Sequence, residues 1–252
     1  MLLKRFIPCL LLKRRGLVKT INFKNPAYIG DPVNTVRIFN ENKVDELMFL
    51  DISASPENTE PNFKLLEEIA NECFMPLSYG GGITSFEQAQ KLFRIGIEKL
   101  VINSGAHNNL DLVRKISEHY GRQSLIGSVD VQKNFLGRNT IVFLSATRKS
   151  EFSVLEWIGK LEEAGVGELL LTSVEREGTW KGLDIKLIRE VTETTKVPVI
   201  AHGGAGNMDD LHEAVTTGGA NAVAMGSMVV YQKKGFGVLV NFPELEHLRA
   251  LT

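Results

Sequence analysis

Short apolar runs rich in Ile, Val and Leu alternate with longer amphipathic segments along the whole chain. Runs that are apolar throughout suit strands buried on both faces, and the amphipathic stretches suit helices that cover a parallel sheet. Eight strands are predicted, at about residues 5–10, 46–51, 75–79, 98–103, 124–130, 168–173, 197–202 and 221–226. Helix signals fall between them. Asp31-Pro32 sets a capping carboxylate before a proline at the first helical position, Ser85-Phe-Glu-Gln88 has capping-box spacing, and Gly165 closes a helix that begins near Ser153. Two gaps are long enough to be functional loops, residues 11–31 after the first strand and 131–150 after the fifth. The second holds Thr140-Ile-Val-Phe-Leu144, read as an inserted hairpin.

The same pattern repeats within the chain. Met75-Pro-Leu-Ser-Tyr-Gly-Gly-Gly82 returns as Val197-Pro-Val-Ile-Ala-His-Gly-Gly204, with Pro76 and Pro198 122 residues apart. At that offset Lys99-Leu-Val-Ile-Asn-Ser-Gly105 matches Asn221-Ala-Val-Ala-Met-Gly-Ser227, and Asp45-Glu-Leu-Met-Phe-Leu50 matches Gly167-Glu-Leu-Leu-Leu-Thr172. Three blocks in one register predict a single (β/α)8 TIM barrel over residues 1–252, built from half-barrels of about 1–122 and 123–252. Closure leaves no sheet edge. An open doubly wound sheet is the alternative, and it gives no reason for a half-repeat.

Composition narrows the setting. A length of 252 residues suits one barrel, and 43% hydrophobic with 23% charged residues is the make-up of a globular protein with a large core. With 29 basic and 30 acidic residues nothing global draws the chain to nucleic acid or to an anionic membrane, so any anion must be bound locally. The opening Met1-Leu-Leu-Lys-Arg-Phe-Ile-Pro-Cys-Leu-Leu-Leu12 has an apolar stretch like a short signal peptide. Pro8 interrupts it, however, and Lys13, Arg14 and Arg15 follow where small residues should be, so a first strand is expected. No apolar stretch approaches the roughly 20 residues that span a bilayer. Two cysteines, Cys9 and Cys73, without paired spacing suit a reducing cytoplasm.

The chemistry gathers where strands end. Gly80-Gly81-Gly82 and His202-Gly203-Gly204-Ala205-Gly206 each follow a strand and precede a helix, where glycine lets backbone N–H groups approach an anion. Asn103-Ser104 and Gly226-Ser227 end the fourth and eighth strands and complete a pocket on either side of the barrel mouth. Tight turns without a ligand are the plainer reading. Duplication and the usual phosphate position of barrels favour phosphate, and two such sites imply a substrate with two phosphates or one long enough to span the mouth. Asp51, Asp130, Thr172 and Ser173 stand at other strand tops, with Glu175 and Glu177 just beyond. Asp130 should point into the mouth as a proton-transfer group, or else cap a turn or pair with Lys133. The first strand offers no acid at its top, because Leu11 can neither donate nor accept a proton. Cys9 reads as a small buried hydrophobe before it reads as a nucleophile. At the opposite rim Arg5, Glu46, Lys99 and Glu168 each enter a strand, so two positive and two negative groups converge on the barrel floor as an ionic ring or plug. The five histidines show no metal-ligand spacing.

Over almost its whole length the chain resembles the cyclase subunit of imidazole glycerol phosphate synthase. The resemblance rests on Lys4-Arg-Phe-Ile-Pro-Cys9, Lys19-Thr-Ile-Asn-Phe23, Asp45-Glu-Leu-Met-Phe-Leu-Asp51, Gly80-Gly-Gly-Ile83, Leu170-Leu-Thr-Ser-Val-Glu-Arg-Glu-Gly-Thr179 and His202-Gly-Gly-Ala-Gly206. It implies a barrel that receives ammonia from a glutaminase subunit docked on its amino-terminal face and joins it to a phosphorylated small molecule at the other end. It makes Arg5, Glu46, Lys99 and Glu168 the ammonia gate and Asp130 the catalytic acid or base. Substrate and phosphate contacts are expected at Lys19, Asp51, Gly81, Gly82, Asn103, Ser104, Thr172, Glu177, Gly178, Gly203, Gly204, Gly226 and Ser227, with no cofactor and no metal. Two positions depart from the pattern: Leu11 stands where the family has a second aspartate, and Glu177 where it usually has aspartate. Pro8-Cys-Leu-Leu-Leu-Lys13 and the short end Val230-Tyr-Gln-Lys-Lys-Gly-Phe-Gly-Val-Leu-Val-Asn-Phe-Pro243 are similar to a branch associated with glycosyl amidation in surface-polysaccharide gene clusters. That branch implies conversion of an acetamido sugar to an acetamidino one with a further amidotransferase. Histidine-pathway cyclase activity and a non-catalytic scaffold that activates the glutaminase are the other expectations.

Overall fold

The computed structural model describes residues 4–251, so Met1-Leu2-Leu3 of the opening apolar stretch lies outside the described residues. Twelve strands form among the described residues: β1 Arg5–Lys13, β2 Gly16–Ile21, β3 Lys24–Gly30, β4 Leu47–Asp51, β5 Leu77–Gly80, β6 Lys99–Ile102, β7 Leu125–Lys133, β8 Asn139–Phe143, β9 Arg148–Lys149, β10 Glu168–Ser173, β11 Val199–His202 and β12 Ala222–Met225. Eight of them are parallel neighbours in the order β10, β11, β12, β1, β4, β5, β6, β7, and β10 pairs β7 to close the barrel. The predicted (β/α)8 TIM barrel is the observed fold.

The helices are α1 Pro32–Glu41, α2 Ala54–Glu57, α3 Phe63–Glu72, α4 Phe86–Arg94, α5 Ser104–Asn108, α6 Leu110–Tyr120, α7 Val154–Ala164, α8 Ile185–Thr192, α9 Met208–Thr216, α10 Ser227–Val230 and α11 Leu245–Arg249. Their predicted starts and stops hold. Asp31 accepts from the Asn34 amide at the head of α1, Ser85 and Gln88 form a reciprocal capping box on α4, and Gly165 in the left-handed region ends α7. Buried faces of these helices form one core against the outside of the sheet, while Ile7, Cys9, Met48, Val101, Ile126, Leu170, Ile200, Ala222 and Ala224 fill the lumen. Inward-facing residues from seven of the eight barrel strands create that second core.

Three boundaries differ from expectation. Residues 11–31 are not an open loop: β1 continues to Lys13 and turns back as β2, which pairs antiparallel with both β1 and β3. Leu17, Val18, Lys19 and Thr20 of β2 are buried, and their burial stabilises the hairpin. Strands predicted from Met75 and Val197 begin at Leu77 and Val199, because Pro76 and Pro198 have no N–H for the ladder. Their carbonyls instead accept from the Leu47 and Leu169 amides, each at 2.9 Å, so both prolines serve as strand entrances at the 122-residue offset. The last repeat block slips by one. Asn103 (φ −115°, ψ −88°) opens α5 as Gly226 (φ −104°, ψ −88°) opens α10, and these are 123 residues apart. One extra residue in the turn between α9 and β12, which holds Gly218-Gly219, accounts for it. The hairpin predicted near 140–144 is present: β8 pairs antiparallel with β7, and the short β9 follows.

Candidate active site

At the floor of the barrel the four charged residues meet. Arg5 Nη1 is 2.7 Å from Glu46 and its Nη2 is 2.6 Å from Glu168, while Lys99 Nζ is 3.2 Å from Glu46 and 2.8 Å from Glu168. Each cation therefore touches both anions, and the ring is closed and neutral. Ser78 adds a hydroxyl donor to Glu46 at 3.2 Å. Burial pushes the Glu168 carboxyl up, but hydrogen bonds and charge from Arg5 and then Lys99 reverse this and hold it below the usual range. Above the ring the lumen is apolar up to Leu50.

At the mouth, a cavity of about 310 Å³ opens among Leu11, Asp51, Gly80-Gly81-Gly82, Asn103, Ser104, Ser128, Asp130, Thr172, Glu177 and His202. Asp130 lies at its base, buried on β7 beside Ser128 on the same strand face. Asn103 Nδ2 donates to Asp130 at 2.8 Å. Desolvation raises the Asp130 pKa to about 7, against the lowering pull of hydrogen bonds from Thr172, Ser128 and Asn103. Lys133 does not pair with it; its ammonium lies 3.4 Å from Asp184. Leu11, 5% exposed, lines the same cavity and supplies no second acid. His202 is neutral, its pKa lowered to about 4 by burial and then by Lys19, and its Nδ1 lies 3.2 Å from the Thr172 hydroxyl. Burial drives the Cys9 thiol up to about 12, which makes it packing and not a nucleophile. Asp51 lines the cavity, but one of its oxygens already accepts from the Ser53 amide and hydroxyl and the Ala54 amide.

The two glycine loops are occupied differently. Gly81 and Gly82 have positive φ and no room for a Cβ, which would strike the Asp51 and Thr59 carbonyls at 2.5 and 2.7 Å. This loop, with Asn103 and Ser104, borders the open cavity. Gly203, Gly204, Gly226 and Ser227 instead enclose a pocket of only about 10 Å³, shared with Lys19, Glu177 and Gly178. Lys19 Nζ is 2.7 Å from Glu177, and both are almost fully buried. Thr20 and the Phe23 amide also donate to Glu177, at 2.9 and 3.1 Å, so the β2–β3 turn is fastened over this loop. Gly178 (φ +73°) is part of that fastening, since a Cβ there would meet the Thr20 carbonyl at 2.2 Å. Gly178→Ala is expected to lower stability by about 1–3 kcal/mol in urea unfolding and to speed proteolysis within residues 16–30.

Three parts of the site were not anticipated from the sequence. Ser128 was findable from its position two before Asp130. The roof over the first loop was not: Leu144, Ser145 and Ala146 all have positive φ, and the Leu144 amide donates to Ser104 Oγ at 3.1 Å. The third, the Thr20 and Phe23 contacts, depends on the hairpin read as loop.

The histidine biosynthesis protein family matches residues 5–235. The chain belongs to that family. Among its relatives, a Pseudomonas aeruginosa protein provisionally named imidazole glycerol phosphate synthase subunit hisF2 is 49% identical over 248 residues, covering 98% of this chain and 99% of that one. A Leptospira interrogans protein with the corresponding provisional HisF name is 42% identical over 252 residues, 100% of this chain and 99% of that one. The imidazole glycerol phosphate synthase subunit HisF of Pelodictyon phaeoclathratiforme is 38% identical over 234 residues, 92% of each. Both ends of this histidine biosynthesis family barrel, the floor ring and the mouth, lie within the matched residues.

Proposed function

We propose that the chain is the barrel subunit of an ammonia-using synthase, joined at its amino-terminal face by a glutaminase subunit. The observation that carries this is one line through the molecule: a neutral ionic ring, an apolar lumen, and the buried acid Asp130 at the far end. Neutral ammonia suits an apolar lumen, where an ammonium ion would be strongly disfavoured. Asp130, titrating near 7, is matched to take the proton that an attacking ammonia must lose, and to return it to a leaving oxygen. Gly81, Gly82, Asn103 and Ser104 hold the substrate's phosphate, Thr172 and Asp51 its polar groups, and Lys19 and Glu177 order the hairpin above them.

The acceptor in this reading is a nucleotide-linked or otherwise phosphorylated sugar, whose acetamido group becomes acetamidino with the aid of a further amidotransferase. Support comes from Leu11, which leaves β1 without an acid to face Asp130 across the mouth. A second reading, cyclisation to imidazole glycerol phosphate, is favoured by the names of the relatives and needs another group to do the work of that acid. Purified chain with an ammonium salt and the ribosyl substrate of imidazole glycerol phosphate synthase separates them. No appreciable imidazole product is expected, and Leu11→Asp should raise it from that background. Robust imidazole formation by the unaltered chain would replace the first reading with the second.

A further inference from the structure

The two glycine loops are alike in backbone but not in what faces them. The first borders the 310 Å³ cavity, while the second keeps about 10 Å³, room for one water at most. The filler is charged and chosen: Glu177, 1% exposed, accepts from Lys19, Thr20 and the Phe23 amide. Lys19 is pressed against Gly226, whose added Cβ would lie 2.9 Å from Nζ. An anion coming to the second loop would therefore meet a carboxylate that has already taken the Lys19 ammonium lining that pocket. It would also have to displace three hydrogen bonds to gain room, and a buried charge stripped of its partner is costly.

We infer that the Glu177 carboxylate stands in for a second phosphate, so the site selects substrates with phosphate at the Gly81-Gly82 and Asn103-Ser104 end and an uncharged group at the other. Glu177 is thus a specificity residue that acts by like-charge exclusion at one end of the cavity it shares with both loops. The inference deepens the proposed synthase reading by fixing the charge pattern of the acceptor. It is tested by binding alone, so it can fail while amination stands, or stand while amination fails.

The probes are a pentose monophosphate and the matching pentose bisphosphate, titrated calorimetrically against the intact chain, with crystals soaked in inorganic phosphate as the positional check. The unaltered chain is expected to bind the monophosphate about tenfold or more tightly than the bisphosphate and to take up phosphate at the first loop only. Glu177→Gln, which keeps the shape and removes the charge, should favour the bisphosphate by about tenfold or more. Glu177→Ala should take up phosphate at both loops. Should the alanine variant fail to fold, the glutamine variant carries the test by itself. Tenfold preference of the unaltered chain for the bisphosphate, phosphate at its second loop with the Lys19–Glu177 pair opened, or an unchanged preference in Glu177→Gln would each overturn the inference.

Discussion

Asp130→Asn is expected to lower ammonia-dependent product formation by about two to four orders of magnitude while making the protein more stable above neutral pH. The two effects share one cause. Asp130 is buried among Ser128, Thr172 and Asn103, and burial lifts its pKa from 3.8 to about 7. A carboxyl whose folded-state pKa is raised binds its proton more tightly folded than unfolded. It therefore destabilises progressively as pH rises from about 4 to about 7, by up to about 1.4 kcal/mol per pH unit, and the loss levels off above that window. Asparagine keeps an oxygen to accept from Asn103 and has no charge to desolvate. Melting temperatures of the two proteins should thus coincide near pH 4 and diverge by pH 8. Product formation by the unaltered chain, expressed per unit of free ammonia, should climb through an inflection near pH 7, which the variant should lack. The same variant decides whether the barrel is only a scaffold for its glutaminase: in that case glutaminase stimulation would be equal for both proteins and neither would aminate anything.

The barrel was legible because a parallel sheet covered on both faces makes each strand an uninterrupted apolar run, and the caps at Asp31, Ser85 and Gly165 mark the helices between. The β2–β3 hairpin was not, for two reasons. Its strands mix buried Lys19 and Thr20 with exposed Ile21 and Tyr28, inverting the usual pattern. Its turn sets Asn22 (φ 52°) and Phe23 (φ 61°) in the left-handed region, where Asn-Gly would have announced a hairpin and Phe does not. The site divides along the same line. Asp130 and the floor ring were readable because each sits at a strand end, whose direction the fold fixes. Lys19, expected as a substrate-anion contact, meets Glu177, 158 residues away, and that partner was not legible because only the docked hairpin brings the two together. Asp51, expected as a substrate contact, lines the cavity, and the Ser53 and Ala54 amides that hold one of its oxygens are local partners that its place at a strand top does not announce.

Glu168→Ala is expected to separate two activities that the intact ring couples. With Glu168 gone, Arg5 and Lys99 are left to share Glu46, which is 4% exposed, and the floor carries an uncompensated positive charge. Such a loss costs up to about 3–5 kcal/mol when a pair is fully buried; here Arg5 is 28% and Lys99 18% exposed, so solvent screening makes about 1–3 kcal/mol the expected drop. Glu168 has a lowered pKa, so its contribution is present above the ordinary carboxylate range and disappears as pH falls through the folded-state value; the variant should lose that acid-side dependence. The mouth is untouched. Product formed from added ammonium salt should therefore stay within about threefold of the unaltered chain, while product formed from glutamine with the glutaminase subunit should fall about tenfold or more as glutamine is consumed without transfer. Glu168→Gln keeps the side chain's size and should give the same split with less loss of stability, which separates a broken passage from a loosened fold. If the ring were only a seal on the barrel floor, glutamine and ammonium would support product equally in both variants, and the passage of ammonia through this end would have to be abandoned.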